Sequence, residues 1–144
     1  MTITNLTNIL EAYETVTIKE DLKPYIESIT KFFENNNVSV TPYPSIKFVE
    51  RDDGISTPTG RYDVSDKPTI TLFIKNRHYK DILRSYAHEL YHHHQYISNP
   101  EKFCSIQCDC DVNNNDELES CERDAYENGN ILFRKWTEEQ FGRN

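Results

Sequence analysis

The chain has 144 residues, of which 36% are apolar, and its 16 basic and 24 acidic groups leave a net charge of −8. That length suits one domain, 1–144, and the composition excludes a fibrous protein or one with a membrane-spanning helix of ~20 apolar residues. The acidity disfavours phosphate backbones, so no nucleic-acid partner is expected, and the opening MTITNLTNILEAYE has no secretory signal pattern, which implies a cytoplasmic protein of a cell or an infected host.

In chain order, residues 3–15 and 20–35 read as two helices. In the second, Leu22, Ile26, Ile29 and Phe33 recur at helical spacing, and Pro24 falls in the first turn. Pro42 and Pro44 keep residues 38–50 extended, and 45–49 alternates as a strand. Asp52-Asp53-Gly54 signals a turn, 61–64 a short second strand, and 69–74, dense in β-branched and aromatic residues, a third.

From Lys80 to Ile97 the period becomes helical, with Leu83, Ala87, Leu90, His94 and Ile97 on one stripe, and Asn99-Pro100 ends the helix. His94 thus reads as a hydrogen-bonded core residue and His93 as solvent-facing. Residues 99–115 read as a loop holding three of the four cysteines. A last helix, 116–140, opens with Asp116 and Glu119 as a capping box and carries Leu118, Cys121, Ala125, Leu132 and Trp136. Helices, a small antiparallel or mixed sheet and two further helices make an α+β fold.

The helix at 80–97 contains His88-Glu89-Leu90-Tyr91-His92, an HExxH motif. Residues i and i+4 project from one helical face, so His88 and His92 can offer two imidazoles to one zinc ion. Glu89, one step round, can take a proton from a metal-bound water as general base. A catalytic zinc needs a third protein ligand, and Glu119, Cys121, Glu122 and Asp124 are candidates at the start of the last helix.

The strand Ile70–Ile74, with Asp81–Gln95 and its HExxH, resembles small metallopeptidases, many encoded by phages or viruses. In the gluzincin class, including minimal gluzincins and SprT-like proteins, a strand precedes the HExxH helix and a later helix bears E-x-x-A. Glu122-Arg123-Asp124-Ala125 matches that last piece, so the resemblance names Glu122 as third ligand, 30 residues after His92. It also implies that the 69–74 strand is the sheet edge lining the cleft, although an interior strand packing the helix satisfies the same pattern. Tyr126 departs from the family pattern, which often has Asp or Asn there to support a zinc-bound histidine. His78, Tyr86 and Tyr126 are candidate oxyanion stabilisers, and the residues do not select among them.

Cys104, Cys108, Cys110 and Cys121 form C-x3-C-x-C-x10-C, which could hold a second, structural zinc, stand as reduced thiols, or pair as disulfides, which no secretory signal favours. The expected function is a zinc metallopeptidase acting on a peptide or protein substrate. The competing expectation is a non-catalytic interaction protein that uses the metal as a fold staple.

Overall fold

The computed structural model describes residues 3–50, 59–108 and 115–142. The fold is α+β, with the order α1 (Ile3–Asn35), β1 (Ser45–Val49), β2 (Gly60–Asp63), β3 (Thr69–Phe73), α2 (Tyr79–Ser98), α3 (Pro100–Cys108) and α4 (Asn115–Phe141). Asp52-Asp53-Gly54, expected as a turn, lies outside the described residues.

Three expectations about elements need correction. Residues 3–15 and 20–35 are one 33-residue helix with Pro24 in its interior rather than in a first turn. Leu22, Ile26, Ile29 and Phe33 are buried on a single face across that proline. Burial of such a stripe, about 1.5–3 kcal/mol per side chain, outweighs the cost of one interior proline of about 3 kcal/mol. Cys104 and Cys108 lie on α3 rather than in a loop, because Pro100 occupies the first helical position, where its missing N–H costs nothing. The Asn99 carbonyl accepts from the Phe103 amide, which starts that helix. Asp116 sits inside the first turn of α4, so it supplies negative charge at the positive helix end instead of forming the expected box with Glu119.

The sheet order is β1-β3-β2. β3 is the interior strand, parallel to β1 and antiparallel to β2. This corrects the expectation of 69–74 as a sheet edge: Ile70 and Leu72 are fully buried, and β2 lies between β3 and open cleft. Side chains from α1, β3, α2 and α4 join in one hydrophobic core that includes Phe33, Leu72, Leu90 and Trp136. Polar groups inside it are paired: Trp136 Nε1 donates to Ser28 Oγ at 2.9 Å, and Tyr86 Oη meets Thr30 Oγ1 at 2.6 Å. No described helix is long and apolar enough to cross a membrane.

Two close approaches set the geometry around α2. A Cβ on Gly129 of α4 would stand 3.2 Å from His88 Cα and 3.4 Å from the Ala87 carbonyl oxygen, so a glycine there lets α4 lie against the HExxH helix. Arg77, just before α2, donates to the carbonyls of Thr59, Phe73 and Asp81 at 2.7–2.9 Å. One guanidinium thereby ties the start of β2 and the end of β3 to the first turn of α2.

Candidate metal centre

α2 presents His88 and His92 on one face, one turn apart, and α4 crosses that face with Glu122. Glu122 Oε2 is 3.4 Å from His88 Nε2, and Oε1 is 3.2 Å from His92 Nε2. The three donor atoms lie within 4.8 Å of one another, the one such His/Cys/Asp/Glu group among the described residues. Donors about 2.1 Å from a tetrahedral zinc stand roughly 3.4 Å apart, a spacing that each His–Glu separation approaches through a different carboxylate oxygen. The donor types, two imidazoles and a carboxylate, suit it as well.

Of the four third-ligand candidates on α4, Glu122 alone joins the donor group with both histidines. Glu119 is exposed. Cys121 and Asp124 meet His92 through Gln95, and Cys121 Sγ also lies 4.0 Å from His92 Nδ1. His92 Nδ1 and Gln95 Oε1 are 2.7 Å apart, and Gln95 Nε2 donates to the Cys121 carbonyl at 3.0 Å and to Asp124 Oδ2 at 2.9 Å. Cys121 Sγ also donates to Gln95 Oε1 at 3.0 Å, and Asn128 Nδ2 holds Asp124 Oδ1 at 2.7 Å. With its amide anchored this way, Gln95 accepts a hydrogen bond from Nδ1–H, so Nε2 of His92, which faces Glu122, is the nitrogen that would give up its proton to bind a metal. Support for the histidine, looked for at position 126, comes from Gln95. It stands three residues after His92 on the same helix, a spacing that puts both side chains on one face.

Electrostatics concentrate on the same groups. In the metal-free state burial depresses His92, but Cys121 and Glu122 outweigh it and push the imidazole up to about 10. His88 and His92 hold Glu122 well below the usual carboxylate range. Glu89, buried to 7% exposure, has its pKa raised by desolvation, against the opposing pull of His92 and His88.

Glu89 is not part of the donor group, yet it lines the same open cavity of about 340 Å³ with His88, His92 and Glu122. The opposite wall is the start of β2. A Cβ on Gly60 would stand 3.1 Å from Glu89 Cγ and 3.3 Å from the Thr71 carbonyl oxygen, so the absence of a side chain at 60 is what seats the carboxyl. β2 is held there by Tyr62, whose hydroxyl meets His93 Nδ1 at 2.6 Å while His93 Nε2 donates to the Pro42 carbonyl at 2.7 Å.

His93 and His94 exchange their expected places. His93 is fully buried and His94 only half-buried, bonded to the backbone of Ser39. The sheet covers α2 on the Tyr62 side, which an apolar stripe read along one helix does not reveal. Among the oxyanion candidates, Tyr86 is withdrawn into the core against Thr30, and His78 stands at the N-cap of α2. Tyr126 is exposed and shares a cavity wall with His88. Cys104 and Cys121 are half-buried free thiols on α3 and α4, whereas Cys110 and the side chain of Cys108 fall outside the described residues.

No protein-family model, curated protein or solved structure matches this chain.

Proposed function

We propose that this protein is a zinc-dependent metallopeptidase in which His88, His92 and Glu122 hold the ion and Glu89 is the general base. The observation that carries the reading is the placement of Glu89. A carboxyl that binds none of the donor atoms is buried beside them and faces the same open cavity. Burial raises its proton affinity, which suits a group that must accept a proton near neutral pH. Zinc at such a site acidifies a bound water and polarises a carbonyl.

The chain's own groups supply the rest. Gln95 fixes the His92 ring, Gly60 leaves room for Glu89 against β2, and Glu122, 52% exposed, keeps the cavity open to an entering peptide. Tyr126 lines the cavity on the other side of His88 rather than the one that holds Glu89. A donor group enclosed on all sides would favour the staple; here, among the described residues, His92 is buried but Glu122 stays half-exposed.

The test is Glu89→Gln, which keeps size and removes basicity. Zinc content and melting temperature should match the wild type, while cleavage of an unbiased peptide library falls ~10²–10⁴-fold. Wild-type cleavage surviving in Glu89→Gln rejects Glu89 as the base. Zinc-loaded wild type that cleaves no member of the library rejects the peptidase.

A further inference from the structure

A second cavity of about 500 Å³ opens on the other side of His88, between the first turns of α2 and the middle of α4. Arg77, Asp81, Arg84, His88, Tyr126 and Asn130 line it, and Thr59 and His88 belong to both this wall and that of the Glu89 cavity. The two spaces are therefore neighbours across one candidate zinc ligand.

Its charge is opposite to that of the molecule. Two guanidinium groups face one carboxylate, an excess of positive charge in a chain of net charge −8. Among the described residues, Arg77 donates to neutral oxygens, three backbone carbonyls and Ser85 Oγ at 2.8 Å, and to no carboxylate. Arg84 gives one nitrogen, Nη1, to Asp81 Oδ1 at 3.1 Å, packs over the Phe133 ring, and stays 48% exposed. Its remaining N–H groups have the fork geometry that matches a carboxylate. Tyr126 and Asn130 add neutral donors on the facing helix.

We infer that the pocket beside His88 binds a carboxylate of the peptide substrate, with Arg84 as the contacting residue and Arg77 as a fixed background charge. The inference rests on the peptidase reading for the word substrate, but the recognition it describes is a binding property. The carboxylate can come from an Asp or Glu side chain or from a free C-terminus, since both present the same planar anion.

The experiment measures binding and turnover separately on zinc-loaded protein. Three short peptides serve as probes: a capped one with a central Asp, its Asn isostere, and an uncapped one without acidic residues. The Asp peptide should bind about five- to tenfold more tightly than the Asn peptide at low salt, and less so at high salt, as expected for a half-exposed charge pair. A comparable gain for the uncapped peptide alone would assign the C-terminus as the source. Arg84→Gln should abolish the preference, and Arg84→Glu should reverse it, so that the Asn peptide binds more tightly than the Asp peptide. Asp81→Asn removes the competing carboxylate and should increase the preference, a direction that simple loss of structure would not produce. Equal binding of all three peptides, or a preference unchanged in Arg84→Gln, overturns the inference. Because binding is read directly, cleavage without acid preference defeats this inference alone, whereas acid preference without cleavage defeats the peptidase alone.

Discussion

Glu89 and Gln95 show how neighbours decide what a side chain can do. Gln95 accepts from His92 Nδ1 while its own amide is locked by Cys121 and Asp124. Gln95→Leu keeps the bulk and removes the acceptor, so zinc affinity should fall roughly 10–100-fold in a competition titration with a chelator. Asp124→Asn should cost less, because the Cys121 carbonyl still anchors the amide. At Gly60 the added Cβ of alanine would crowd both the Glu89 side chain and the Thr71 carbonyl. Gly60→Ala should therefore retain zinc but lose cleavage, which separates the position of the base from the integrity of the donor group. The HExxH triplet was plain in the sequence, since its spacing encodes one helix face. Gly60 was not, because it touches Glu89 only after the 60–63 strand has paired with β3.

Among the elements, α2 and α4 must approach closely enough for Glu122 to reach both histidines. In a free helix Gly→Ala is stabilising by up to about 1 kcal/mol. At Gly129 the added methyl would meet the backbone of Ala87 and His88, which cannot swing aside. Gly129→Ala should instead destabilise the protein by about 1–3 kcal/mol and weaken zinc binding, both measurable by thermal melts with and without chelator. The periods of α2 and α4 were legible because each carries one apolar stripe, even though α2 is covered on further faces. The continuity of α1 through Pro24 was not, since the local rule for an interior proline is overridden by the core that α1 covers. Likewise β3 reads equally well as an edge or a centre, and only its pairing on both sides with β1 and β2 decides.

For the whole molecule, pH and the proposed zinc would act through the same few groups. His92 is raised from 6.5 to about 10, so its proton stabilises the metal-free fold fully below pH 6.5, and that contribution is lost as pH rises through about 10. Glu122, shifted down from 4.5, stabilises above pH 4.5 and loses its contribution only as pH falls through the lowered value. Between these limits zinc must displace the His92 proton while Glu122 is already ionised. Zinc affinity should therefore climb about tenfold per pH unit from 6 to 8, with close to one proton released, as calorimetry in buffers of different ionisation enthalpy would read. Stripping the metal should lower the melting temperature by roughly 5–10 °C when zinc stands at about a hundred times its Kd.

By itself the sequence determined the α+β class, the HExxH helix and its face, and the core stripes of α1, α2 and α4, because each follows from periodicity along one short segment. Spacing narrowed the third-donor candidates to four residues on one helix, and the resemblance of Glu122-Arg123-Asp124-Ala125 to E-x-x-A named Glu122. Tertiary structure set the surroundings: α4 crosses α2 at Gly129, with Glu122 facing the histidines and Cys121 and Asp124 bonded to Gln95. It also buried His93 rather than His94, seated Glu89 against β2, and set two arginines beside His88. These outcomes depend on which surfaces meet in three dimensions. A pattern read along one element records which face is apolar, but not which neighbour will cover the others.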